Sequence, residues 1–270
     1  MEYQPRLPRE GINVSARHPL SELVTLVAGV CLAVVLIAAA AFVLVEGLIR
    51  WIPPSFESRV FGSLWSAGAD SEGEDPRLEA AGALLERLAS HWEENPYELQ
   101  LAIMEEESPN AFAVPGGAIY LTRGLLDSVE SENELAFVLG HEIGHFRNRD
   151  HLRGLGRGLI VSLALSALTG GSAAESIPQL VTTITQSGFA REQERDADAF
   201  GIALVEAEYG HVAGADGFFK RLPDAKADLG DEFSSYFATH PVSEARIENL
   251  QDLAARNRWS ITGDLTPLPR

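Results

Sequence analysis

The spacing of hydrophobic and polar positions changes repeatedly along this chain, and each change predicts a different element. Positions 23–45 carry no charge between Glu22 and Glu46, which is long enough to cross a bilayer as one helix. A cleaved signal peptide would have an apolar region of roughly 7 to 15 residues ending at small side chains. Here Phe42-Val43-Leu44-Val45 continues past Ala38-Ala39-Ala40-Ala41, so the run reads as a retained anchor, with Trp51 at the interface and Pro53-Pro54 ending the helix. This gives an N-terminal tail at 1–22, an anchor at 23–47 and, rich in Ser, Gly and acids, a linker at 48–75.

From Pro76, suited to the first position of a helix, helical spacing runs to about Glu94 and stops at Pro96. Positions 111–114 and 118–122 read as two short strands around Pro115-Gly116-Gly117. Ser131-Glu132-Asn133-Glu134 has the capping-box form and predicts a helix through His145. The apolar stretch 159–168 is too short to span a bilayer and predicts a buried core helix. Helical spacing returns over 189–209, ending at Gly210, and a last helix follows Pro241 with Ile247, Leu250 and Ala254 on one face. The fold class is mainly α with a small β-sheet (α+β), a catalytic-sized domain at 76–256 and a C-terminal tail at 257–270.

Charge narrows the partners. A formal net charge of −18, with Lys220 and Lys226 the only lysines, offers no basic patch for nucleic acid. Cys31 is the only cysteine, so neither an intrachain disulfide nor a thiolate zinc cluster can form, and any metal must be held by His, Asp and Glu. Arg6, Arg9 and Arg17 precede the apolar run and Arg50 and Arg59 follow it. That small excess places the domain outside the cytoplasm, as expected of a single-pass protein of a bacterial inner membrane.

His141-Glu142-Ile143-Gly144-His145 is an H-E-x-x-H motif. On a helix its two imidazoles project from one face within reach of a single Zn²⁺, and the glutamate beside them can take a proton from water. A catalytic zinc needs a third protein ligand. His151 has the metzincin spacing, but the methionine turn of that class is missing, since Met1 and Met104 both precede the motif. The other candidate is Glu194, which shares a small and apolar helix face with Ala197, Asp198, Gly201 and Leu204. Two carboxylates on an inner face need cations, and a metal for Glu194 with a histidine N–H for Asp198 would supply them. His18, His91 and His211 have no partners at informative spacing.

Together with Asn110-Ala111-Phe112-Ala113-Val114-Pro115-Gly116-Gly117 and the late Thr239-His240-Pro241 with Arg246, these motifs resemble the metallopeptidase family of the CAAX prenyl protease and the heat-shock protease HtpX, number forty-eight among the metallopeptidase families. The resemblance covers roughly 76–255 and implies a gluzincin-type site with one Zn²⁺ per chain. It implies His141, His145 and Glu194 as ligands, Glu142 as general base and Asp198 as the carboxylate behind a ligand. It further implies His240 and Arg246 beside the oxyanion, and Ala113, Val114, Gly117 and Ala118 along the strand where substrate peptide adds. The single clear span looks closer to envelope quality-control members than to the multi-span prenyl proteases. Damaged or misassembled membrane and envelope proteins are then the expected substrates, with lipid contacted through the anchor. An intramembrane protease is disfavoured by Arg147, Arg149 and Asp150 crowding the motif with charge. The competing class is a membrane-tethered chaperone or scaffold, its zinc site closed by His240 or His151.

Overall fold

The computed structural model describes residues 19–66, 75–169, 189–221, 240 and 244–269. Among them are nine helices: α1 (Pro19–Ile49), α2 (Pro54–Ser66), α3 (Pro76–Ser90), α4 (Arg123–Ser128), α5 (Glu132–Asn148), α6 (Asp150–Thr169), α7 (Arg191–Tyr209), α8 (Gly217–Arg221) and α9 (Glu244–Asn257). Strands β1 (Gln100–Met104), β2 (Ala111–Val114) and β3 (Ala118–Thr122) form one sheet in the order β1-β3-β2. Local chemistry sets the boundaries. Asp75 caps α3 by accepting from the Arg77 N–H at 2.9 Å, leaving Pro76 in the first turn where no donor is needed. Ser131 caps α5, and Gly210, at φ 70°, ends α7 in the left-handed region.

β3 is the central strand. It pairs parallel with β1, Gln100 opposite Ala118, and antiparallel with β2, Val114 opposite Ala118. Gly116 and Gly117 make the β2–β3 turn at φ 105° and 102°, and a side chain at Gly117 would strike the Glu98 carbonyl. The two-residue period divides the sheet's contacts. Ala111, Ala113, Ile119 and Leu121 join the main core with Leu84, Leu88, Phe137 and Phe146, while Phe112, Val114 and Tyr120 pack with Leu155 of α6 and Phe61 of α2. Each fully buried Leu or Phe contributes on the order of 1.5–3 kcal/mol, so this core, crossed by α5 from end to end, fixes the motif helix firmly.

Several expectations need correction. Positions 54–66, expected within a linker, form α2, whose Glu57 is buried by Arg149 just after α5, His151 of α6 and Tyr97 before β1. The sheet has a third strand, β1, which alternation did not reveal. The first catalytic-domain helix ends at Ser90 and the last begins at Glu244. The apolar stretch expected as a buried core helix is the second half of α6, but Val161 and Leu163 are exposed and the helix lies along α1. Positions 170–176, read as a polar break after it, lie outside the described residues, as do most of the tail at 1–22, positions 67–74 of the linker, and Thr239 and Pro241.

Candidate metal centre

The site is built by two helices in unusually close contact. Gly140 and Gly144 of α5 face Gly201 and Ala197 of α7. A Cβ at Gly201 would lie 2.8 Å from the His141 amide nitrogen, and one at Gly144 2.7 Å from the Ala197 Cα. With no side chains between the backbones, residues one turn along each helix meet directly. His141 and His145 on α5 thereby face Glu194 on α7, and His240 closes the group.

The donor atoms converge. His141 Nε2 lies 3.1 Å from His145 Nε2 and 3.1 Å from His240 Nδ1, and Glu194 Oε1 lies 3.2 Å from His240 Nδ1 and 3.4 Å from His145 Nε2. Donors around one tetrahedral zinc at about 2.0–2.1 Å stand roughly 3.3 Å apart, so the spacing suits that ion. All four residues are buried. The donor set is nitrogen and carboxylate oxygen, as zinc accepts, and among the described residues Glu142, 0 % exposed, has neither carboxylate oxygen hydrogen-bonded. An unsatisfied buried carboxylate is costly unless a positive or proton-donating group completes it, and a metal with its water would do so.

The opposite nitrogen of each motif histidine is held by a carboxylate. His141 Nδ1 is 2.9 Å from Asp198 Oδ1, and His145 Nδ1 is 3.0 Å from Asp150 Oδ2, which leaves each Nε2 facing the donors. Asp150 is itself fixed by Gln193 Nε2 at 2.5 Å and Arg153 Nη1 at 3.1 Å. Burial works against charge throughout, but partners outweigh it at most positions. Glu194 is held well below the usual carboxylate range by His240, His141 and His145, and Asp198 is lowered by Arg246 and His141. Burial lowers His141, whereas Asp150, Glu194 and Glu142 overcome it at His145 and raise that group to about 10.

The structure brings Glu142, His141, His145, Glu194, Asp198, His240 and Arg246 together. Arg246 forks onto Asp198, Nε to Oδ2 at 2.8 Å and Nη2 to Oδ1 at 2.6 Å, with Nη1 2.6 Å from Glu194 Oε2. Its guanidinium thus bridges the carboxylates of Glu194 and Asp198. His240 spans the site, its Nδ1 among the donors and its Nε2 3.3 Å from the Ala111 carbonyl oxygen and 3.5 Å from Glu142 Oε1. His151 does not reach the donors; its Nε2 is 2.8 Å from Glu57 Oε2. Ala113 and Val114 lie on β2, which no other described strand flanks on its outer edge. Ala118 needs correction, because β3 is paired on both edges and cannot accept a further strand; Gly117 likewise gives its carbonyl to the Gln100 N–H at 2.9 Å. Sequence reasoning missed Asp150, and its one signal was an acid five residues past His145, just beyond the helix end.

The description "Peptidase family M48" matches residues 75–254 of this chain. The chain belongs to peptidase family M48. Its metallopeptidases use zinc, and the buried His141, His145, Glu194 and His240 group is able to bind that ion. Among similar M48 proteins, mitochondrial metalloendopeptidase OMA1 of Arabidopsis thaliana is 29% identical over 73% of this chain and 38% of its own length. Metalloprotease LoiP of Escherichia coli is 32% identical over 53% of this chain and 58% of its own. A protease HtpX homolog of Salinibacter ruber is 26% identical over 78% of this chain and 85% of its own. The chain therefore spans less than two thirds of the length of OMA1 or LoiP.

Proposed function

We propose that this chain is a membrane-anchored zinc metalloendopeptidase hydrolysing internal peptide bonds of unfolded or misassembled membrane and envelope proteins. The observation that carries the reading is the fully buried Glu142 carboxylate, without a hydrogen bond among the described residues, beside four convergent metal donors. His141, His145 and Glu194 would hold the ion. Zinc, when bound, supplies Lewis acidity that polarises a carbonyl and makes a nearby water a stronger acid. Glu142 accepts that water's proton and returns it to the departing amine. Asp198 and Asp150 orient the two imidazoles, and Arg246 offsets the charge of Glu194 and Asp198. An extended peptide adding to the outer edge of β2 by main-chain hydrogen bonds would pass close to His240, which favours substrates lacking compact structure.

Membrane attachment is supported by α1, the one described helix long and apolar enough to cross a bilayer. The uncharged end of α6 lies along it antiparallel, Val34, Ile37, Ala38 and Ala41 facing Ile160, Leu163 and Ala164. Exposed Val161 and Leu163 are costly in water and suit hydrocarbon. Glu46 pairs with Arg153 and Arg157 where the two helices leave this apolar zone, a charge belt suited to a membrane surface. The arginine bias of the sequence favours a peptidase domain, at 76–256, outside the cytoplasm.

The test is made on the full chain in detergent micelles, with zinc content and cleavage of a chemically unfolded reporter protein measured for wild type and Glu142→Gln. Stoichiometric zinc in both, with cleavage in wild type alone, is expected; equal cleavage by both removes Glu142 as base. A second reading has one observation in its favour, since His240 Nδ1 lies close enough to be a fourth ligand. A four-ligand zinc has no position for water, and the chain would then be a tethered chaperone or scaffold with a latent or structural metal. Under that reading His240→Ala creates or raises cleavage; under the first it lowers it.

A further inference from the structure

A second buried polar group lies at the C-terminal end of α5, apart from the metal donors. Its centre is Glu57 of α2, 0 % exposed. Glu57 Oε1 accepts from the Tyr97 hydroxyl at 3.2 Å and from Arg149, and Oε2 pairs with His151 Nε2 at 2.8 Å. Arg149 also donates through Nη1 to the carbonyl of Ile49, the last residue of α1, at 2.9 Å, and to the carbonyl of Ile52. The first is a last-turn carbonyl of α1 that otherwise accepts only from the Ile52 N–H at 3.2 Å, the second lies in the turn that follows, and a guanidinium suits both. Arg149 does this from φ 61°, a conformation that favours glycine. Arginine at that position is explained by its side chain and not by its backbone.

Between Arg149 and His151 stands Asp150, whose Oδ2 holds His145 Nδ1 at 3.0 Å. Three consecutive residues thus divide the work, the outer two fastened to the segment at the end of α1 and the middle one fastened to a metal-binding imidazole. We infer that Glu57 and Arg149 are positioning residues for His145, through which the end of the apolar helix α1 sets the aim of one ligand at the metal centre. The inference rests on the zinc peptidase reading above for what that ligand does. It makes the segment between anchor and domain part of the active-centre scaffold, so the catalytic unit begins before Pro76. Glu46, held by Arg153 and Arg157 of α6, secures the same helix end a second time.

The experiment uses the full chain in detergent micelles with Glu57→Gln, Arg149→Gly and Arg149→Lys, and Asp127→Asn as a surface control. Zinc affinity is read by chelator competition and ligand geometry by the visible spectrum of the cobalt-substituted protein, neither of which needs turnover. Glycine keeps the left-handed turn and removes only the fork; lysine retains the charge beside Glu57 but cannot fork to both carbonyls. Glu57→Gln and Arg149→Gly are expected to weaken zinc binding by about 10–100-fold, the usual range for groups behind a ligand, with a changed cobalt spectrum and lower kcat at unchanged KM. The double variant should be no worse than the weaker single, Arg149→Lys should fall between Arg149→Gly and wild type, and Asp127→Asn should match wild type. Wild-type zinc affinity and cobalt spectrum in folded Glu57→Gln and Arg149→Lys, with only thermal stability lowered, would overturn the inference. Should Arg149→Gly not fold, those two variants decide alone. Failure of the peptidase reading shows separately, as a wild-type protein that binds zinc and cleaves nothing.

Discussion

Two buried carboxylate groups flank the motif helix α5, and they differ in what is left over. On the α7 side, Glu194 and Asp198 meet His141, His145, His240 and Arg246, while nearby Glu142 is buried with neither oxygen hydrogen-bonded among the described residues. On the α2 side, Glu57 meets Tyr97, Arg149 and His151 and both its oxygens are taken. Both use a histidine, an arginine and a carboxylate out of water. In the second group the central carboxylate is satisfied and only Arg149 Nε and His151 Nδ1 lack a partner among the described residues, so it behaves as a fastening; in the first it is a carboxylate that lacks donors, which gives capacity for an ion and a proton. Residue types alone do not separate a working site from a structural one; a buried carboxylate left without donors does.

Opposite responses to substitution would sharpen that contrast. Glu142→Gln should reduce cleavage by roughly 10²–10⁴-fold while leaving stability unchanged or raised, because it removes a buried carboxylate charge that has no hydrogen-bond donor among the described residues; initial rates and urea midpoints measure the two. Glu57→Ala should do the reverse to stability, costing about 3–5 kcal/mol in urea unfolding because Arg149 and His151 lose their shared anion. Gly201→Ala tests the seam that creates the first group. Its Cβ would meet the His141 amide nitrogen at 2.8 Å, so α5 and α7 must part, at about 1–3 kcal/mol and with weakened zinc binding by chelator competition.

Acid should act on the second group with a definite sign. Burial raises the Glu57 carboxyl, but His151 and Arg149 together hold it below its ordinary 4.5, and Tyr97 donates to it as well. The unfolded chain therefore takes up this proton first. The contribution of Glu57 is complete above about pH 4.5 and is lost as pH falls through the lower native value, so urea midpoints should decline there in wild type and less in Glu57→Gln. Smallest of all, Gly82→Ala on α3, where an added methyl meets nothing within 4 Å, should stabilise by up to about 1 kcal/mol. It calibrates Gly201→Ala as a packing effect and not a generic cost of replacing helical glycine.

Much of the metal centre was legible because helical spacing is enough to place it. His141 and His145 share a face by their separation, and the small residues around Glu194 and Asp198 marked which face of α7 turns inward. β2 and β3 announced themselves through their glycine turn. Glu57 did not, since one acid in a stretch with serine, glycine and charge has no periodic signature and its partners lie 40 to 94 positions away. β1 was hidden by a short, mixed run, Gln100-Leu101-Ala102-Ile103-Met104, whose partner strand is parallel and reached only by a crossover. The apolar half of α6 was misjudged because hydropathy measures aversion to water without saying whether protein or lipid relieves it.

His141, Glu142, His145 and His240 are each 0 % exposed and Glu194 2 %, so an ion held among them has almost no open face and leaves chiefly as the structure opens. Exchange of the ion is then gated by that opening. At saturating chelator the protein should release zinc at a rate set by its own breathing and indifferent to further chelator, retaining its metal for long periods in surroundings where the free ion is scarce.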